Sequence, residues 1–416
     1  MNRPKEHMLF SLPVIVAALG YFVDIYDLLL FQIVRVKSLE SLGFKGVDNQ
    51  LAGEYIINAQ MIGLLIGGII WGIMGDKKGR LSVLFGSIIL YSIANFATGF
   101  VQTADQYALL RFIAGIGLAG ELGAGITLVS ELLPKQKRGI ATSFVAGIGL
   151  TGAILANLMS KAVDWRMCYF IGGGLGISLL LLRVSVFESS MYHEIKHARV
   201  SKGNLLMFFN NRERFRKYAT SILIGLPTWF VIGVLVAFSK EFAEKLKIPG
   251  VISPGDATMY AYVGISVGDV AIGFVSNWLQ SRKKALYLFY LLTLIGIIIY
   301  FFFTPSTING FYALCCYLGF ATGFWAIFVT MAAEQFGTNL RATAATTVPN
   351  MVRGALPLII AGFKYLRGTS DDAEQFIQAG LITGAIVMGI ALVAALLTRE
   401  TYGKDLNYIE VEEALP

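Results

Sequence analysis

The chain has 416 residues, of which 56% are hydrophobic and 15% are charged, and its formal net charge is +7. A soluble domain carries about 25% charged residues, so a chain this poor in polar residues is not expected to fold as a soluble globule. The lysines and arginines lie in short segments between apolar blocks. No basic patch is interleaved with aromatic residues, which argues against nucleic-acid binding. The three cysteines lie in apolar blocks and predict neither a disulfide framework nor a metal site.

Apolar blocks of about 20 residues recur along the chain, and this is the length a helix needs to cross a bilayer core of roughly 30 Å. The first block lacks a small-residue cleavage site and is interpreted as a spanning helix rather than a signal peptide. No block alternates with period two, which argues against a β-barrel. The sequence therefore predicts an all-α membrane protein with spans at 10–32, 52–74, 81–101, 106–130, 140–160, 166–187, 217–240, 257–279, 285–304, 309–332, 343–365 and 374–397.

The longest polar interruption runs from Glu188 to Lys217 and divides the predicted helices into two sets of six. The predicted organisation is a helical bundle at 1–187, a cytoplasmic linker at 188–216, a second bundle at 217–398 and a tail at 399–416. Lysine and arginine are enriched on the side of the membrane that carries this linker. We therefore expect a multi-pass protein of the plasma membrane, the inner membrane in a bacterium, with both termini in the cytoplasm.

The two predicted halves repeat each other. Helix 2 ends with Gly72 and Asp76, and helix 8 ends with Gly273 and Asn277, 201 residues later in each case. Glu131 after helix 4 has its counterpart in Glu334 after helix 10, 203 residues later. Two sets of six helices in the same orientation imply parallel halves, with a binding site between them near the middle of the membrane.

Several motifs carry a resemblance to a known family. The segment 72–80 (GIMGDKKGR) resembles the helix 2–3 loop signature of the major facilitator superfamily, and segments 111–117 and 131–139 resemble its signatures on helix 4 and in the helix 4–5 loop. Segment 23–28 (VDIYDL) resembles helix 1 of metabolite:proton symporters and related sugar and organic-ion porters. The resemblance implies two pseudo-symmetric six-helix bundles and a secondary active transporter, not an enzyme. Segment 187–191 matches the sugar-porter signature only loosely, which weakens a sugar assignment.

Ionisable residues at membrane depth are costly and often functional. Asp24 and Asp27 are three residues apart on helix 1 and are expected to share a face. Arg111 on helix 4 is expected at the depth of Asp27. The resemblance implies that such an Asp–Arg pair couples proton binding to conformational change, because a nearby arginine stabilises the charged carboxylate. The alternative is a static ion pair that holds helices 1 and 4 together.

A second set of polar and aromatic residues is predicted to bind the substrate. A central arginine offers a planar fork of donors that suits a carboxylate, and nearby aromatic side chains could line a cavity. The predicted substrate-binding residues are Glu121, Trp229, Asp269, Phe324, Asn350 and Arg353. Two alternatives stay open: Asp269 and Arg353 could neutralise each other, and the aromatic residues could face lipid or a neighbouring helix.

Charged residues at the predicted cytoplasmic ends of the helices are expected to form ion-pair networks that hold the halves together and break when the site opens inward. The predicted gate residues are Asp76, Arg80, Glu131, Arg138, Glu334 and Arg341. The alternative is that these charges only set the orientation of the helices in the membrane.

The segment from His193 to His197 matches H-E-x-x-H, which on a helix presents two histidines to zinc and a glutamate as a base. The match lies in the basic linker, without a surrounding domain that could bind a peptide. We interpret it as a solvated helix and predict no metal and no cofactor.

The leading hypothesis is proton-coupled uptake of a small polar metabolite, an organic acid or a zwitterion, by alternating access. The alternatives are proton-coupled export of an organic compound and, outside transport, a membrane sensor. The predicted partners are the substrate, protons and the lipid bilayer, with no nucleic acid, and the expected state is a monomer.

Overall fold

A computed structural model of the chain describes residues 12–121, 123, 125, 129, 144–182, 205–368, 372–404 and 408–410. Within these ranges the regular structure is helical and contains no β-strand. Nine of the described helices are long and apolar enough to cross a membrane. The predicted all-α membrane fold is confirmed.

Twelve segments of the fold are numbered in chain order. They are α1 (Leu12–Ser41), α2 (Gly46–Lys78), α3 (Arg80–Thr98), α4 (Ala104–Leu118), α5 (Phe144–Ala162), α6 (Trp165–Leu182), α7 (Arg212–Val236), α8 (Pro254–Trp278), α9 (Arg282–Phe302), α10 (Ile308–Glu334), α11 (Thr338–Gly354 and Leu356–Arg367) and α12 (Ala373–Leu397). The end of the molecule where α1 ends and α2 begins is here called the outer end, following the predicted orientation. The opposite end is called the inner end.

The predicted boundary of the first helix at residue 32 was wrong, because α1 continues to Ser41. The extension contains polar residues such as Arg35 and Ser38, which the sequence suggested as loop. Both are buried against other helices, with exposed fractions of 1% and 0%. Arg35 pairs with Glu241, and the Ser38 hydroxyl donates to the carbonyl oxygen of Arg35, so both polar side chains have partners while the helix continues to the outer end.

Polar side chains begin several of the helices by accepting hydrogen bonds from otherwise unpaired backbone N–H groups. Asn211 accepts from the N–H groups of Glu213 and Arg214 at the start of α7. Ser253 accepts from Asp256 at the start of α8, and Asp372 begins α12 in the same way. These caps fix where each of these helices begins.

Small residues bring corresponding helices of the two halves into close contact. A Cβ atom added to Gly63 of α2 would lie 2.1 Å from the carbonyl oxygen of Phe112 in α4. A Cβ atom added to Gly264 of α8 would lie 2.0 Å from the carbonyl oxygen of Cys316 in α10. Glycine at these positions lets the backbones meet. Because the two glycines are 201 residues apart, the equivalent contact recurs in each half.

Three helices of the second half are interrupted near the middle of the molecule, and one of them, α11, is interrupted at Ala355. Helix α7 breaks at Gly225, two residues before Pro227, and ends in a π-helical turn at Val231–Val236. Helix α10 is broken between Ala321 and Trp325. Interrupted helices leave backbone groups unpaired within the helix, and in membrane proteins such groups are tolerated where they contact other protein groups or line a cavity.

Candidate functional site

A small cavity of about 20 Å³ lies between the two halves, where the interrupted helices meet α1, α5 and α8. One arginine lies among mostly aromatic and aliphatic side chains in its wall. The wall consists of Tyr21, Ile25, Leu150, Thr228, Trp229, Tyr262, Ile265, Trp325 and Arg353. Two of these residues, Trp229 and Arg353, belong to the predicted substrate-binding set.

Arg353 is the cationic residue of this wall, and it is only 2% exposed. One of its terminal nitrogens donates to Oδ1 of Asn350 at 3.1 Å. Its guanidinium carbon lies 5.5 Å from the ring centre of Trp325, which is a cation–π contact. Trp229 faces Trp325 edge to face, with 6.4 Å between ring centres. The cavity therefore combines one fork of hydrogen-bond donors with two indole rings.

Asn350 holds this arginine and also joins the two halves. Its Nδ2 donates to the carbonyl oxygen of Ala119 in the first half at 2.7 Å. The same amide accepts from Arg353 through Oδ1. A movement of α4 relative to α11 would therefore be transmitted to the arginine in the cavity.

Asp269 supports the wall of the cavity from α8. Its Oδ1 accepts from the backbone N–H of Ala326 at 2.9 Å, where the second part of α10 begins. This carboxylate thus satisfies a backbone group that the break in α10 frees, directly beside Trp325. Among the described residues, no ion pair within 4.0 Å joins Asp269 to Arg353. The sequence analysis left open a direct ion pair between Asp269 and Arg353, and the described residues contain no such pair.

The two aspartates of α1 have different neighbours, although they are three residues apart. Asp24 is fully buried and interacts electrostatically with Tyr21 and Tyr262, both in the cavity wall. Asp27 is also fully buried, and its electrostatic neighbour is Arg111 of α4. Arg111 is thus an electrostatic neighbour of Asp27, and no ion pair within 4.0 Å joins the two among the described residues.

Asp27 and Arg111 lie inside the first half, away from the cavity wall. Arg111 donates to Oδ1 of Asn95 and, at 3.1 Å, to the hydroxyl of Thr98, and its guanidinium carbon lies 4.7 Å from the ring centre of Tyr169. Asn95 also neighbours Asp27. Such an acid–arginine arrangement can hold a proton without contact with the cavity.

Two predicted substrate-binding residues lie elsewhere. Glu121 is 3% exposed and accepts from the hydroxyl of Ser87 in α3 at 2.8 Å. Phe324 packs edge to face on Tyr290 of α9, with 5.4 Å between ring centres. Neither residue belongs to the wall of the cavity described above.

The predicted gate at the inner end is only partly described. Glu334 pairs with Arg282 at 3.4 Å, a contact within the second half, and Arg341 is buried. The side chains of Asp76 and Arg80 lie outside the described residues, as do Glu131, Arg138 and the two histidines of the H-E-x-x-H match.

Ion pairs between the halves occur at the outer end, where the sequence analysis predicted none. Arg35 pairs with Glu241 at 2.9 Å, and Arg367 pairs with Glu54 at 3.5 Å. Lys161 of α5 pairs with Asp256 of α8. The sequence signal was a charge at or near the end of an apolar block: Arg35 lies three residues beyond predicted helix 1, and Glu54 lies inside predicted helix 2. In this structure the halves are joined electrostatically at the outer end.

Comparison with known proteins identifies the family. Residues 15–361 match the family model described as the Major Facilitator Superfamily. The chain belongs to this superfamily. The fold agrees with that of a solved structure, the proton:xylose symporter XylE bound to 6-bromo-6-deoxy-D-glucose. The two superpose with a TM-score of 0.73 at 18% sequence identity, over 95% of this chain and 97% of that one.

Named relatives show what kind of protein this superfamily member resembles. The niacin transporter NiaP of Acinetobacter baylyi is 24% identical over 95% of each chain. The 3-(3-hydroxy-phenyl)propionate transporter of Escherichia coli is 25% identical over 83% of this chain and 85% of its own. Relatives are named as transporters of niacin, of aromatic acids and of sialic acid. The chain is a multi-pass membrane transporter of the major facilitator fold rather than an enzyme.

Proposed function

We propose that this transporter imports a small organic acid together with protons, and that Arg353 binds the carboxylate of the substrate. The observation that carries the proposal is the position of this arginine in the cavity wall, with Asn350 holding one of its nitrogens. A guanidinium fork matches a carboxylate in two parallel hydrogen bonds, and such charge-assisted bonds are strong in a buried site. The carboxylate would neutralise a cation that costs free energy at this depth.

The rings beside Arg353 favour an acid that carries a flat ring. Trp229 and Trp325 form a corner with an interplanar angle of 70°, and Tyr21 and Tyr262 lie in the same wall. Aromatic pairs favour edge-to-face or offset contact, so a planar ring could pack on one indole and meet the edge of the other. Niacin and the aromatic acids named for the relatives have this chemistry. We therefore propose an aromatic or heteroaromatic monocarboxylate as the substrate class.

Asp27 is proposed as the proton-binding group. It is buried in the first half beside Arg111 and Asn95, where an uncompensated charge is costly. A movement that withdraws Arg111 would favour the protonated form, and a movement that returns it would favour release. Since protonation and the position of α4 then depend on each other, proton binding biases the equilibrium between outward and inward states.

The experiment is uptake of radiolabelled niacin into proteoliposomes that contain the purified protein, with and without an imposed proton gradient. Accumulation above the external concentration is expected only when the outside is the acidic side, and a protonophore should abolish it. Equal uptake with and without the gradient would exclude proton coupling. Concentration in the opposite direction would identify an exporter, and niacin binding without flux would favour the sensor.

A further inference from the structure

A lateral groove between α9 and α12 has no role in the transport proposal. It has a volume of about 590 Å³ and lies on the surface of the second half. Its walls are almost entirely apolar and consist of Tyr287, Tyr290, Leu291, Leu294, Ala385, Met388, Gly389, Leu392 and Leu396. The four leucines of the rim are 42% to 62% exposed, whereas Tyr290 and Met388 on the floor are buried.

The groove exists because α12 carries a glycine at its centre. A Cβ atom added to Gly389 would meet nothing within 4 Å, so the space beside it is open. Along α12 the groove extends from Ala385 to Leu396, which is about 16 Å at 1.5 Å per residue. That length is about half of a bilayer core of roughly 30 Å, the depth of one leaflet. An extended acyl chain of the inner leaflet fits these dimensions.

Basic residues lie at the inner mouth of the groove. Nζ of Lys283 donates to the carbonyl oxygen of Leu396 at 3.3 Å and lies 5.9 Å from the ring centre of Tyr287, so this ammonium lies at the end of the groove itself. Lys284 is exposed next to it, and Arg399, 71% exposed, follows the end of α12.

Two acidic residues near this mouth are already engaged. Glu400 accepts from the hydroxyl of Ser281 and from the backbone N–H groups of Arg282 and Lys283, so it caps the start of α9. Glu213 pairs with Arg399 at 3.0 Å and with Lys217. The two lysines therefore dominate the charge that a bound molecule meets at the mouth.

We propose that this groove binds one anionic phospholipid, with an acyl chain over Gly389 and the phosphate at Lys283 and Lys284. The apolar walls account for the chain, and the lysines account for the negative headgroup. Basic residues between helices at the cytoplasmic surface provide such sites for acidic lipids. A neutral phospholipid could place its chain in the groove but would gain little from the lysines.

The test is native mass spectrometry of the purified full-length protein with added phosphatidylglycerol or phosphatidylcholine. The wild type is expected to retain one phosphatidylglycerol more tightly than any phosphatidylcholine. In Lys283→Gln/Lys284→Gln the preference should fall by about fivefold for each lysine removed. Gly389→Phe should fill the groove and abolish the tight site for both lipids.

The matched control is Gly174→Phe, which places the same side chain at another helical glycine with open space around it. This variant should bind phosphatidylglycerol like the wild type. Size exclusion and thermal unfolding identify variants that misfold, and Lys284→Gln alone then tests the headgroup contact without disturbing the bond of Lys283. Equal affinity of the wild type for the two lipids, or equal binding by Gly389→Phe and Gly174→Phe, would overturn the proposal.

Discussion

The two buried acid–arginine sets of this protein use the same residue types in different ways. In the first half, Arg111 is surrounded by Asn95, Thr98 and Tyr169, and Asp27 is its electrostatic neighbour inside the bundle. In the second half, Arg353 faces the cavity, and Asp269 instead accepts a hydrogen bond from the backbone of the broken helix α10.

We propose that this difference reflects a division of labour between the halves. The arginine in the second half is placed to meet a ligand, because it shares the cavity wall with Trp229 and Trp325. The arginine in the first half lies outside the cavity wall and contacts Asn95, Thr98 and Tyr169, with Asp27 as its electrostatic neighbour. Asn350 connects the two sets, since it holds Arg353 and donates to the backbone at Ala119, where α4 ends. If substrate and proton chemistry are separated in this way, variants of one set should leave the chemistry of the other intact.

The largest effect is expected for Arg353→Gln. Removing the charged partner of a buried carboxylate costs about 2–5 kcal/mol, so niacin affinity should fall about thirtyfold or more. Calorimetric titration of the purified protein measures this change. Arg353→Lys is the control for charge alone: it keeps the cation but not the fork, so it should recover only part of the affinity. Undiminished binding by Arg353→Gln would show that the substrate carboxylate lies elsewhere.

Asp27→Asn should separate transport from accumulation. The variant cannot release a proton at this position, so uptake against a gradient should be lost while exchange of labelled for unlabelled niacin continues. Counterflow in proteoliposomes measures the exchange. Asp24→Asn, three residues away beside Tyr262, is the matched comparison and should change niacin affinity more than proton dependence. If Asp24→Asn abolishes accumulation and Asp27→Asn does not, the two roles are exchanged.

The sequence predicted the helical architecture, and it placed Asp27 near Arg111, for clear physical reasons. Apolar blocks of bilayer length specify spanning helices, and helix direction placed Asp27 and Arg111 near the same depth. The depth argument nevertheless used a wrong helix end, because α1 runs 14 residues beyond Asp27 rather than five. The two residues are electrostatic neighbours in the structure, but no ion pair within 4.0 Å joins them among the described residues, so the coupling pair stays a prediction.

The contact of Asp269 in the second half depends on the break in α10, which the hydrophobic pattern of the sequence does not predict. Asp269 looked like a partner for Arg353 because both are central and oppositely charged. Its actual partner is a backbone N–H freed by the interruption between Ala321 and Trp325, and neither Pro nor a polar run marks that break. Likewise, Arg35 and Glu241 are 206 residues apart, and no local pattern connects them. Side-chain contacts across halves arise only from packing of the whole bundle.

The third effect concerns Asp269 and should be smaller than the first two. Asp269→Asn keeps an oxygen that can accept from Ala326, whereas Asp269→Leu leaves that buried N–H unpaired at a cost of about 1–3 kcal/mol. We therefore expect Asp269→Leu to lower both the apparent unfolding temperature and niacin affinity, the latter because Trp325 loses its support. Asp269→Asn should retain most of both. Equal losses in the two variants would mean that the negative charge, rather than the hydrogen bond, is the property that matters.

The smallest effect is expected at the outer end, for Lys161→Gln. The ammonium is 53% exposed, and Asp256 also accepts from Asn157 at 2.9 Å, so the lost pair should contribute less than about 1 kcal/mol to the closed outer end. A shift of that size changes the outward-open population by about fivefold at most, and the apparent affinity for external niacin changes with it. Dependence on the proton gradient should not change, because neither acid–arginine set touches this pair. Niacin titrations at two proton gradients measure both quantities. A changed proton dependence would mean that gating at the outer end is part of the coupling itself.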